Sequence, residues 1–121
     1  MRRPMATSSR AGYAAGDVVV VPFPYADRLA EKRRPALVVS GPRLASFGLL
    51  WVAMITSAEN EPWSCDVPVG DLKRAGLPAP SVVRPAKIAC IEPARVLRRA
   101  GKLDRAAARR VMQRLRGFLP A

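Results

Sequence analysis

Three short stretches bring together residue types that handle phosphate. Lys32-Arg33-Arg34-Pro35 is a cationic cluster where a charged, irregular stretch gives way to the apolar run Ala36-Leu37-Val38-Val39. An arginine fixed at the start of a strand is suited to stabilise charge growing on a phosphate during in-line displacement. The competing use is a solvated loop charge. Thr56 and Ser57 arrive abruptly at the end of the apolar run Leu49 to Ile55. Hydroxyls in that position either hydrogen-bond a phosphate or ribose hydroxyl or cap the last backbone groups of the strand. Arg84 breaks into the apolar stretch Ser81-Val82-Val83, and such a charge either reaches solvent from an edge or lines a pocket.

Composition narrows the chemistry further. The 121 residues carry 21 Lys and Arg against 9 Asp and Glu, a formal charge of +12, and no histidine. Ser-His-Asp and Cys-His units and zinc helices of the HExxH type are therefore excluded. No GxxxxGK[ST] or GxGxxG sequence follows a strand, so a nucleotide cofactor has no support. The carboxylates Glu59, Glu61, Asp66 and Asp71 are too scattered for a two-metal nuclease centre. The positive excess, mostly arginine, favours a polyanionic partner, nucleic acid before an acidic protein or an anionic membrane surface. Cys65 and Cys90 lack CxxC spacing and read as two buried free thiols. No run approaches the roughly 18 apolar residues of a membrane span, and Arg2-Arg3 is not followed by a signal-peptide core. The expectation is a cytoplasmic protein without metal or cofactor.

These side chains need a frame. Residues 1–14 read as a polar, frayed leader and 15–121 as one domain. Val18 to Val21 is a β-branched run closed by Pro22-Phe23-Pro24, and predicts a buried strand. Residues 24–33 form a charged loop, and Ala36 to Ser40 a second strand with Pro35 at its beginning. Leu49 to Thr56 is the central strand. Ser64 to Val69 alternates like a half-exposed strand, and Gly70 to Pro80 reads as a connecting loop. Ser81 to Ile91 forms one long strand bent by a bulge at Pro85. Val96 to Arg99 adds a short strand. From Asp104, a good N-cap, apolar residues at Ala108, Val111, Met112, Leu115, Phe118 and Leu119 mark one face of a helix. Its other face carries Arg105, Arg109, Arg110, Arg114 and Arg116, and Pro120 stops it. The fold class is mainly β: a strongly bent sheet capped by a C-terminal amphipathic helix.

Gly16-Asp17-Val18, Lys32-Arg33-Arg34-Pro35-Ala36-Leu37-Val38-Val39, Ile55-Thr56-Ser57 and Ser81-Val82-Val83-Arg84-Pro85-Ala86-Lys87-Ile88 occur in the order and spacing of the MazF/PemK toxins, which the chain resembles over residues 16–119. The resemblance implies an SH3-like barrel of the CcdB/MazF type and a homodimer. It implies a cognate acidic antitoxin, and operator DNA reached through the antitoxin complex. The activity it implies is metal-free, sequence-selective cleavage of single-stranded RNA to 2′,3′-cyclic phosphate and 5′-hydroxyl ends. By the same resemblance Arg34, Thr56 and Arg84 are catalytic. The two arginines would stabilise the transition state, one of them protonating the leaving oxygen, while Thr56 positions the phosphate. Lys32, Arg33, Ser57, Ser81 and Lys87 are the expected substrate contacts. Where the PemK branch often carries an aspartate, two residues after the second arginine, this chain has Ala86. Asp27 and Glu31 are then the candidate bases.

Two other classes compete: a non-catalytic CcdB-like toxin acting by protein or DNA binding, and a plain basic nucleic-acid-binding module. The strand-end arginines and Thr56 favour the nuclease. A simple binding module would interleave more aromatics for base stacking; of the seven here, Tyr25, Trp51 and Trp63 lie near the expected cleft.

Overall fold

The computed structural model describes residues 12–23 and 32–121. Six strands, β1 (Asp17–Phe23), β2 (Lys32–Val38), β3 (Leu50–Ser57), β4 (Val67–Pro68), β5 (Ser81–Ile91) and β6 (Arg98–Lys102), form one curled sheet in the order β4-β5-β3-β2-β1-β6. Every neighbouring pair is antiparallel. Two one-turn helices, α1 (Pro42–Ala45) and α2 (Leu72–Ala75), a 3-10 turn (Pro93–Arg95) and the long helix α3 (Arg105–Gly117) complete the chain. No described helix is long and apolar enough to cross a membrane.

Because side chains alternate across a strand, this single sheet builds two cores. Val18, Leu37, Ala53, Ile55 and Val83 face α3, which buries Ala107 and Val111 against them. Val19, Val21, Ala36, Val38, Val52 and Met54 point to the opposite face, where the sheet curls over them. Helix α3 starts where expected: the Asp104 side chain accepts from Ala107 N–H at 3.1 Å. Asp104 Oδ1 also accepts from Gly70 N–H and Asp71 N–H, at 3.1 and 3.3 Å, so one carboxylate fastens the helix to the start of α2. The five arginines of α3 all lie on its exposed side.

The end of α2 presses on β6. Gly76 has φ +73°, and a Cβ there would run into the Ala100 carbonyl oxygen; only glycine suits both demands.

Strand β5 bulges as the sequence suggested, more strongly than a single extra residue. Met54 faces Arg84, whereas its neighbour Ala53 faces Ile88, so Pro85, Ala86 and Lys87 are left outside the ladder. Other expectations need correction. The strand expected over Ser64 to Val69 shrinks to Val67–Pro68, because Trp63 to Asp66 is spent on a turn closed by Asp66 N–H to the Trp63 carbonyl at 3.0 Å. The strand expected at Val96 to Arg99 starts two residues later, after the 3-10 turn. The stretch after Ser40 and the loop before Pro80 each contain a helical turn. Cys90 is exposed and Cys65 half-buried, so the expected pair of buried thiols is not found, although both are free. Of the expected leader, Gly12–Ala14 are described and anchored: Ala14 N–H donates to the buried Asp17 carboxylate at 2.9 Å, and Arg99 donates to the Gly12 carbonyl at 3.2 Å.

Candidate functional site

The sheet register brings the three candidate catalytic residues to one face. Ala36 pairs with Met54 at the end of the β2–β3 ladder, and Arg34, two residues before Ala36 and opposite Val21 of β1, lies on the same face of β2. Met54 pairs with Arg84 and Thr56 with Val82. Arg84 is therefore the diagonal neighbour of Thr56 across β3 and β5. All three side chains share the face of Val38, Val52 and Met54, at the edge of that core. Arg34 and Thr56 are half-buried and Arg84 is only 9 % exposed. A partly dry setting of this kind strengthens charge-assisted hydrogen bonds.

The loop from β3 to β4 is stitched across this face by its own polar groups. Asn60 Nδ2 donates to Thr56 Oγ1 at 2.6 Å, which takes up a lone pair of the hydroxyl and leaves its proton for another acceptor. Arg84 donates through Nε to Asp66 Oδ1 at 2.9 Å, and through Nη2 to Asp66 Oδ2 at 2.9 Å and the Glu61 carbonyl at 3.0 Å. Trp63 N–H donates to Asp66 Oδ2 at 2.9 Å, and the Trp63 ring lies over the guanidinium with its centroid 4.3 Å from Cζ. Nη1 is the one nitrogen of that guanidinium with no partner among the described residues.

This pairing fixes both protonation states. The Arg84 hydrogen bonds, aided by Trp63 N–H and opposed by burial, hold the Asp66 carboxyl below the usual aspartate range. In return Asp66 raises the pKa of Arg84, burial opposing it. Asp66 is thus a poor base, and Arg84 a poor proton donor.

Other candidates fall elsewhere. Lys32 is exposed and shares the Arg34 face by alternation. Arg33, Ser57 and Ser81 take the opposite parity. Ser57 faces Ser81 across β3 and β5, and Arg33 lines a hollow with Leu77, Leu97 and Arg98. Ser57 Oγ accepts from Glu59 N–H at 3.1 Å, and Ser81 Oγ donates to the Ala79 carbonyl at 2.8 Å, so both serve local turns. Lys87 and Ala86 sit in the β5 bulge. Asp27, Glu31 and Tyr25 lie outside the described residues. Asn60 and Asp66 are not among the expected site residues, and Trp63 is expected near the cleft without a role. The pattern Asn-x-x-Trp-x-x-Asp between Thr56 and Arg84 carries no signal by itself, since only the register shows what it reaches. Among the described residues no group of three His, Cys, Asp or Glu side chains is assembled that would hold a metal ion.

Residues 14–119 match the family model described as PemK-like, MazF-like toxin of type II toxin-antitoxin system. No curated protein sequence matches the chain significantly. Among solved structures, MazF from Deinococcus radiodurans is 22 % identical with a TM-score of 0.69, covering 88 % of this chain and 94 % of that one. The Mycobacterium tuberculosis toxin MazF-mt6 is 20 % identical with a TM-score of 0.65, covering 84 % and 93 %. An endoribonuclease from a mycobacterial species, in complex with its cognate antitoxin, is 16 % identical with a TM-score of 0.70, covering 91 % and 100 %. At these identities the likeness is one of fold: a curled, mainly β sheet with a C-terminal helix.

Proposed function

The chain belongs to the PemK-like, MazF-like toxins of type II toxin-antitoxin systems, and from that premise we propose that it is an endoribonuclease cutting single-stranded RNA. The ribose 2′-oxygen attacks the adjacent phosphorus, the bond from phosphorus to the 5′-oxygen breaks, and a 2′,3′-cyclic phosphate and a 5′-hydroxyl result. The residues in hand supply charge and position. Arg34 stabilises the charge building on the non-bridging oxygens. Thr56, its hydroxyl oriented by Asn60, donates its proton to one of them. Arg84 offers Nη1 as a directed donor, its full charge being balanced by Asp66.

The proton of the 2′-hydroxyl leaves through water or a carboxylate outside the described residues, Asp27 or Glu31. The leaving 5′-oxygen takes its proton from Arg34 or from water, since Asp66 keeps Arg84 protonated.

The observation that supports this reading is the common face shared by Arg34, Thr56 and Arg84. The test is incubation of the purified protein with mixed single-stranded RNA in EDTA, followed by sequencing of the ends. Discrete cuts with 5′-hydroxyl ends, lost in Arg34→Ala and Thr56→Ala, are expected; RNA left intact in every buffer overturns the proposal.

Partners follow the same reading. A short acidic antitoxin would neutralise the cationic surface; MazF of Deinococcus radiodurans, which this chain resembles in fold, is found in complex with MazE. A homodimer, and operator DNA reached through the antitoxin complex, complete the proposed assembly.

A further inference from the structure

Trp63 is the one side chain of the β3–β4 loop that contacts the site and has no use in the chemistry above. It keeps 44 % of its surface exposed, although an indole is ordinarily well covered. Exposure here does not mean looseness. Its backbone is tied to Asp66 at 2.9 Å, and one face of its ring is occupied by the Arg84 guanidinium 4.3 Å away. That guanidinium is itself clamped through three hydrogen bonds, two to Asp66 and one to the Glu61 carbonyl. An exposed indole is thus held rigidly, its ring backed by a cation, beside the face that carries Arg34 and Thr56. Trp51, the other tryptophan, faces Cys90 on the helix side of the sheet and is no part of this arrangement.

A rigid, part-exposed aromatic ring beside a phosphate grip matches the parts from which single-strand sites are built, cationic groups for the backbone and a π-face for the base. We infer that Trp63 is a stacking subsite for an unpaired nucleobase, that of a nucleotide next to the phosphate held by Arg34 and Thr56. The inference rests on the ribonuclease reading for the identity of the strand. Stacking needs a π-face and no particular hydrogen-bond pattern, so the subsite contributes affinity and register and accepts any of the four bases. Asp66 is its positioning residue, acting through Arg84. The competing role for Trp63 is a lid that merely keeps water from the ion pair.

The test uses Trp51→Phe, which leaves Trp63 as the sole tryptophan. Its emission is followed during titration with an oligonucleotide 2′-O-methylated at every ribose, which cannot be cut, and with an abasic oligonucleotide of equal length and charge. Quenching by the first and not by the second is expected. In the otherwise native chain, Trp63→Leu should raise KM about tenfold or more with kcat changed less than about twofold, while Trp63→Phe stays near native. Equal quenching by the abasic strand overturns the inference. So does native KM in Trp63→Leu, or equal loss in the Phe and Leu variants, which is what a lid would give. If the native chain leaves RNA intact but base-dependent quenching persists, the ribonuclease reading falls and the stacking subsite stands. If RNA is cut and quenching is absent, the reverse holds.

Discussion

Asp66 holds Arg84 edge to edge, Oδ1 against Nε and Oδ2 against Nη2, each at 2.9 Å, with both side chains about nine-tenths buried. The arginine that enters an apolar strand is therefore balanced at the point where it enters. The pair brings the β3–β4 loop down onto the sheet and gives the site its rigid side.

Replacing Asp66 with Asn should show this directly. It strands a buried guanidinium and removes one charge partner for a cost of about 3–5 kcal/mol, or roughly 10–20 °C in melting temperature. Thermal unfolding followed by circular dichroism checks it. A native melting temperature in the variant would mean that the pair is too wet to matter.

Acid should act on the same group and on Asp104. Asp66 is held below the ordinary aspartate range by its bonds to Arg84. For Asp104, burial pushes upward but the N–H groups of Ala107, Asp71 and Gly70 outweigh it. A lowered folded pKa means that the unfolded chain binds protons first, so stability is complete above about pH 5 and falls as pH drops through and below the normal value near 3.9. Urea midpoints measured from pH 6 to pH 2 should fall in that window. The fall should be shallower in Asp104→Ala, which starts about 2 kcal/mol less stable for want of its cap.

Arg34 should not tolerate lysine. A lysine keeps the charge but loses the planar fork that meets two phosphate oxygens together. We expect Arg34→Lys to retain the fold and to lose at least about tenfold in kcat, and Arg34→Ala to lose about 10²–10³-fold. Single-turnover cleavage of a fluorescent RNA measures both. Activity in Arg34→Lys equal to native would remove the bidentate role.

Asn60 offers a subtler check. If its 2.6 Å hydrogen bond aims the Thr56 hydroxyl, then Asn60→Ala should slow cleavage by about 5- to 10-fold, the worth of one hydrogen bond. Its melting temperature should stay near native, because Asn60 and its bond to Thr56 are exposed to solvent. Combined with Thr56→Ala it should add nothing further, since the hydroxyl it aims would be gone. Additive losses in the double variant would show that Asn60 acts elsewhere.

The sequence carried some of this plainly and some not at all. Val18 to Val21, Leu49 to Thr56 and the Asp104-capped helix announced themselves because apolar periodicity and capping are local properties. Cys90 misled because an apolar neighbourhood in sequence does not tell which face of the sheet is covered; its side of β5 lies beyond the reach of α3. Asp66 looked like one of several scattered carboxylates. It is joined to Arg84 only by the fold, across eighteen residues of chain. Gly70 to Pro80 reads as a loop in sequence because its glycines and prolines outweigh a single turn of helix, and Asp71 supplies that turn with a cap at 3.0 Å from Arg74 N–H. The family fragments located Arg34, Thr56 and Arg84 in the chain, but that they share a face emerges from the ladder alone.

The bulge in β5 sets an odd-and-even rule for the whole site. With Pro85, Ala86 and Lys87 outside the ladder, Arg84 points with Met54 and Ile88 points with Ala53; in an unbroken strand, residues four apart would point the same way. The extra residues work as a counter that resets parity halfway along one strand. The half bearing Arg84 and the half ending at Ile91 can therefore drift in sequence separately, but the number of residues between them cannot change by one without turning the arginine away from its partners.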